Sequence, residues 1–347
     1  MIAEVTEEVR KIQLTGRSSY IISLPKKWIL EMGLKAGDRL TFLKQNDSTL
    51  LLTPPKMKKR EKPEEVTIFV SSHDNPYTIM RRIIAFYLVG YNLIRLKTKE
   101  DRMDSMQRSI VKDGARRKLV GTEVVSDSSN EMALQVLLSY PELSIESALR
   151  RMCIIATSMH EDAMKSLEQL NHQLAKEVIG MDDEVDRFSF YAIRQLKSAV
   201  QSERIIKEIG LNDARDCLGY RLVTKSVERI ADHAADICEN ILMMKTPPSQ
   251  SLFTRIFKMS SFSRSIFEGA FESLFKKDYE RADQVIEKAR AIELLEKEAL
   301  AQVSRQKLGA EEISCLRLII ESLRRVTEYS SDVAEVVLNL TVSEAPG

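Results

Sequence analysis

Residues 174–186 read LAKEVIGMDDEVD and residues 226–241 read SVERIADHAADICENI. Both lie in a long run, 141–347, where apolar residues recur at three- and four-residue spacing, as in Leu149, Met152, Cys153, Ala156 and Met159. That is the period of helices with one buried face. Both stretches also have an echo. Ala175, Val178 and Ile179 stand 107 residues before Ala282, Val285 and Ile286. Ser226, Arg229, Ile230 and Asp232 stand 96 residues before Ser322, Arg325, Val326 and Glu328, with Asp236 falling on Asp332 and Glu239 on Glu335. Two blocks echoed in the same order mark a duplication. The spacing predicts helices over about 144–179, 182–208, 212–245, 252–277, 279–306 and 310–341, with Pro247-Pro248 dividing them three and three. Helices of this length with short connections pack as antiparallel bundles, so 141–246 and 249–341 are read as two three-helix bundles.

Carboxylates mark the two quoted stretches. Asp182, Asp183 and Asp186 are expected to open the second helix, where the helix dipole favours acids. Glu228, Asp232 and Asp236 recur every four residues, so one face of the third helix carries all three, and like charges there repel unless something positive lies near. Two readings stay open: a hydrated or ion-paired face, with Lys225 and Arg229 as counter-ions, or a cation held by carboxylate oxygens. His233 follows Asp232 but points about 100° away from it. The second copy has fewer acids. Arg324 replaces Glu228, Ala289 replaces Asp182 and Arg290 replaces Asp183, while Glu293, Glu328 and Asp332 remain. Arg324 is placed to pair with Glu328 one turn on.

Upstream the pattern changes. Residues 1–53 read as short strands (VRKIQLTG, SYIISLP, DRLTFLKQ, STLLLTP) punctuated by Gly16-Arg17, Gly33, Gly37-Asp38 and Asn46-Asp47. One short helix fits between Pro25 and Gly33. Some fifty residues of this kind make a thin core, so the unit is expected to close its sheet by dimerising. Residues 54–65, PPKMKKREKPEE, read as a charged linker. Residues 66–140 read as a small α/β segment: a strand VTIFVSS, a helix from Pro76 capped by Asn75, a strand over 90–97, a helix over about 99–112, and a hairpin turning at 126–130. The fold class is therefore mainly α with an α+β N-terminal part.

The formal charge of +1 conceals an asymmetry. Residues 1–62 hold 13 Lys and Arg against 7 Asp and Glu, and the remainder holds 39 against 44. A head at +6 on a body at −5 points to a polyanion as the head's partner. Hydrophobic residues at 44% and charged residues at 30% exclude a disordered chain. No apolar run reaches about 18 residues, so no membrane insertion is expected. The acidic N-terminal stretch MIAEVTEEVRK lacks an apolar segment, so no signal peptide is expected. Cys153, Cys217, Cys238 and Cys315 form no CxxC pair, which suits a reducing cytoplasm. No GxxxxGK[ST], HExxH or GxSxG is present, and the chain is not expected to be an enzyme.

Two resemblances sharpen these expectations. Val9-Arg10-Lys11-Ile12, Gly16-Arg17, Leu24-Pro25, Met32-Gly33-Leu34 and Gly37-Asp38 resemble the AbrB/SpoVT swapped-hairpin DNA-binding domain. The likeness implies an intertwined homodimer contacting double-stranded DNA through Arg10, Lys11 and Arg17. The Arg pair that this family often carries in its short helix is replaced here by Ile29 and Leu30, with Lys26 and Lys27 displaced toward the helix start. The two quoted helical stretches resemble the PhoU phosphate-uptake regulator family. That likeness implies two PhoU-like three-helix bundles and a phosphate-regulating role. It also implies a metal, iron or zinc, on [ED]xxxD motifs: Asp182, Asp186, Glu228, Asp232 and Asp236, with Glu328 and Asp332 in the second copy. Both domains in one chain is an arrangement similar to archaeal phosphate-uptake regulators. The expected function is a dimeric DNA-binding regulator of phosphate uptake with a sensing body. The alternative is an adaptor on a phosphate transporter subunit whose head serves only dimerisation.

Overall fold

The structure is a computed structural model, and it describes residues 8–44, 49–53, 65–138 and 143–342. The chain forms two compact units, residues 1–62 and 63–347. The linker expected at 54–65 and the turn at Asn46-Asp47 fall outside the described residues, apart from Glu65.

The described residues of the first unit form two hairpins and a helical turn. β1 (Gln13–Thr15) pairs antiparallel with β2 (Ser19–Ile21), and β3 (Thr41–Lys44) pairs antiparallel with β4 (Leu50–Thr53). Gly16 at φ 65° turns the first hairpin, a conformation open to glycine at little cost. Between the hairpins α1 (Lys26–Glu31) starts after Pro25 and stops before Gly33 at φ 66°. Among the described residues the hairpins share no ladder with each other, and α1 buries none of its residues.

The second unit opens with a four-stranded sheet of β5 (Glu65–Val70), β6 (Leu93–Thr98), β7 (Thr122–Asp127) and β8 (Glu131–Val136), in the order β5-β6-β8-β7. β5 and β6 run parallel and are joined by α2 (Pro76–Val89); the other pairings are antiparallel. Asn75 caps α2 by accepting from the Tyr77 amide at 2.9 Å. The second helix of this layer, α3, runs Ser105–Lys118, not 99–112. Asp104 fixes its start by accepting from the amides of Met106 and Gln107, and buried Met103 holds the preceding loop in the core. Gly114 is tolerated in mid-helix because Met80 of α2 packs where a side chain would stand. Ile68, Ile83, Tyr87, Ile94, Leu96, Val111 and Leu134 form the core of the layer.

The helical body follows as α4 (Ile145–Gln169), α5 (His172–Ala199), the short α6 (Glu203–Glu208) and α7 (Asp216–Met243), then α8 (Gln250–Lys276), α9 (Tyr279–Ala289), α10 (Ile292–Ser304) and α11 (Ala310–Thr341). The first interhelical break lies at Leu170-Asn171, ahead of the expected 180–181. Leu170 takes φ 49°, and the Asn171 side chain caps α5 by accepting from the amides of Gln173 and Leu174. Gly180 costs a helix only about 1 kcal/mol, which the buried run Val178, Val185 and Phe188 on either side outweighs. In the second copy the corresponding helix, expected unbroken over 279–306, tightens at Arg290-Ala291, where the Ala291 amide donates to the Lys288 carbonyl at 3.1 Å. No glycine or proline marks that turn. The repeats share one continuous core. α7 lies so close to α11 that a side chain on Gly219 would meet Val336 and Leu340.

Arg194 of α5 joins the sheet layer to this body. Its buried guanidinium donates to the carbonyls of Tyr87, Gly90 and Tyr91 and to Asn92 Oδ1, satisfying the C-terminal end of α2.

Candidate functional site

Because α5 starts at His172, Asp182, Asp183 and Asp186 lie in its interior. They do not open a helix, so the helix dipole does not account for them. Asp182 and Asp186 interact across to Glu228 and Asp232 of α7. Burial pushes the Asp182 carboxyl up to about 6, with repulsion from Asp186, Glu228 and Asp183 adding to it. Burial pushes Asp232 up to about 7, helped by Glu228 and Asp182. Asp186 is also raised by burial, against the pull of Lys118. Asp182 Oδ1 is buried without a hydrogen-bond partner.

Two lysines serve this face. Lys225 pairs with Glu228 within α7. Lys118, the last residue of α3, reaches from the sheet layer to Asp183 Oδ1 at 3.4 Å and Asp186 Oδ2 at 3.6 Å. Nothing in the sequence signals Lys118, since only the fold brings α3 to α5. Among the described residues no group of three or more His, Cys, Asp or Glu side chains converges tightly enough to hold a metal ion. Three of these carboxylates turn toward a lysine instead. In charge and in donor type the site fits a hard cation: oxygens only, an orphaned carboxylate oxygen, and more acids than bases.

Asp236 is not part of the cluster. Four residues advance a helix by more than one turn, so each step drifts about 40°, and Asp236 stands about 80° from Glu228. It is exposed and pairs with His233 Nδ1 at 3.2 Å. His233 also meets Ser322 Oγ at 3.3 Å and stacks on Tyr329, at the seam between α7 and α11. In the second copy Glu328 is taken by Arg324 and Arg325, and Arg324 also reaches Glu296 at 3.2 Å. Asp332 is raised by burial and by Glu335 and Glu328, with Arg229 opposing. Arginines thus neutralise there what lysines serve in the first copy.

In the N-terminal unit Arg10, Lys11, Arg17, Lys26 and Lys27 are all exposed. Arg10 pairs with Glu8 at the surface, and Lys27 stands 4.0 Å from Glu31. Large apolar side chains are equally open: Leu14 is 62% exposed, Tyr20 72% and Phe42 60%.

The PhoU domain model matches residues 149–241 and 256–337, one stretch for each repeat. The chain belongs to the PhoU family. A second family model, "Antidote-toxin recognition MazE, bacterial antitoxin", matches residues 13–60, an AbrB-like domain ahead of the PhoU repeats. Between these matches lies most of the sheet layer. A "Phosphate-specific transport system accessory protein PhoU homolog" of Clostridium acetobutylicum is 21% identical over 201 residues, 56% of this chain and 90% of that protein. The protein of the same description from Borreliella burgdorferi is 21% identical over 194 residues, 53% of this chain and 85% of its own length. In structure the chain is similar to a "phosphate transport system regulatory protein PhoU" of Streptococcus pneumoniae, with a TM-score of 0.50 and 17% identity over 58% of this chain and 96% of that one. At that identity the likeness shows the PhoU fold.

Proposed function

We propose that this PhoU protein regulates phosphate uptake as a DNA-binding dimer. The observation that carries the reading is the open apolar surface of the N-terminal unit beside its exposed basic residues. Leu14, Tyr20, Phe42, Leu43 and Leu50 are at least 47% exposed in a single chain, and a second copy of the unit would cover them. The dimer would then present Arg10, Lys11, Arg17, Lys26 and Lys27 twice on one double-stranded DNA. Most of the affinity would come from phosphates. The PhoU repeats would be the sensing part, non-enzymatic, with Asp182, Asp186, Glu228 and Asp232 as the residues to hold a metal. Such an ion, iron or zinc in the family resemblance, would supply positive charge to repelling acids. The all-oxygen donor set suits iron better than zinc.

The test is retardation of DNA from upstream of its own gene. Six phosphate contacts from Arg10, Lys11 and Arg17 of two chains give a salt slope of about −5, so affinity falls roughly 10³-fold between about 50 and 200 mM salt. The triple variant Arg10→Ala, Lys11→Ala, Arg17→Ala is expected to lose retardation and to sediment as a dimer. Specific binding by that variant would overturn the assignment.

The descriptions of the relatives as transport-system accessory proteins favour a second reading, an adaptor docked on a phosphate transporter subunit, with the head pairing two chains. Recovery of a transporter subunit with the full chain, and no retained DNA site, would select it.

A further inference from the structure

Lys118 needs a reason of its own. It ends α3, in the sheet layer that lies largely between the two family matches. Its side chain is 35% exposed, but its backbone is fixed. The next two residues, Leu119 and Val120, are buried, and the Val120 carbonyl accepts from the hydroxyl of fully buried Tyr87 at 3.1 Å. The backbone at Lys118 is therefore anchored, and the fold delivers its ammonium to the acid face of α5 between Asp183 and Asp186. Lys225, the other cation there, comes from α7 itself and holds Glu228. With both lysines engaged no three carboxylates converge, and Asp182 Oδ1 is left without a partner. An ammonium on Asp186 and a cation gathering Asp182, Asp186, Glu228 and Asp232 cannot share one carboxylate at full strength. Each also repels the other.

We propose that Lys118 and a hard divalent cation compete for the acid face of the first PhoU repeat. Cation uptake then displaces the Lys118 ammonium from Asp183 and Asp186, and the last turn of α3 reads out whether the face is occupied. The lysine is a tethered counter-ion whose displacement converts binding into a local loosening. This inference rests on the reading that the acid face takes a cation, and its test separates the two.

Mn²⁺ is the probe, titrated calorimetrically into the full chain after treatment with chelator. Lys118→Met keeps the stem and removes the charge, and Lys118→Arg keeps the charge. Removing one partly screened unit charge from the edge of the site is worth about tenfold in affinity. The methionine variant is therefore expected to bind Mn²⁺ about tenfold more tightly than wild type, with the arginine variant close to wild type. In wild type, Mn²⁺ is expected to speed hydrogen exchange over residues 113–120; in Lys118→Met it leaves that segment unchanged. Equal or weaker Mn²⁺ binding by Lys118→Met, with clear binding by wild type, overturns the competition and leaves the cation site standing. Absence of Mn²⁺ binding in wild type and Lys118→Met alike overturns both.

Discussion

Asp232→Asn is expected to stabilise the apo protein at alkaline pH and to leave it unchanged in acid. In the folded chain burial, then Glu228 and Asp182, hold the Asp232 carboxyl at about 7, against an ordinary 3.8. An acid whose folded value lies above its unfolded one favours the folded state least when ionised. Below about pH 4 the carboxyl is protonated in both states and contributes nothing. Between 4 and 7 the unfolded chain releases its proton first, so stability falls as pH rises, and above 7 the full cost is present. A shift of some three units corresponds to at most about 4 kcal/mol. Asp232 is only partly buried, and Lys225 lies near, so solvent screening reduces this to about 2 kcal/mol. The amide keeps the shape and removes the charge. Urea unfolding of metal-free wild type and Asp232→Asn at pH 5 and pH 8 measures the difference. The variant should gain about 2 kcal/mol at pH 8 and much less at pH 5. A variant less stable than wild type at pH 8 would show that Asp232 is satisfied there by a partner and that the electrostatic account of the face is wrong.

Arg194→Met removes four donated hydrogen bonds, among them those to the Gly90 and Tyr91 carbonyls just past α2. A loss of about 3 kcal/mol is expected, read as faster hydrogen exchange in α2 and β6 with the helical repeats still protected. Lys277 is exposed and takes φ 53° at the end of α8, so Lys277→Gly should raise stability by about 0.5–1 kcal/mol in thermal unfolding.

Much of the fold is legible because helical periodicity is a property of neighbours in the chain. The register Leu149, Met152, Cys153, Ala156, Met159 is one buried stripe of α4, and Asn75 caps α2 as its position before Pro76 implies. What the sequence conceals depends on competition or on distance. Gly180 looks like a stop, yet its cost is small beside the burial on either side, whereas the capping side chain of Asn171 ends the matter nine residues earlier. The four-residue spacing of Glu228, Asp232 and Asp236 reads as one face, but the 3.6-residue turn carries Asp236 off it toward His233. The pairing of Arg324 with Glu328 is local and was legible. Lys118 and Arg194 reach partners far away in the chain, and no pattern in one sequence announces them.

The shared core of α7 and α11 bears on what the second repeat is for. Its helices are required as walls for the first, since an isolated 141–246 fragment would expose the seam where Gly219 faces Val336 and Leu340. Arg324 suits that role: where the first repeat leaves Asp182 and Asp232 repelling their neighbours, the second closes its own face with arginine pairs to Glu296 and Glu328.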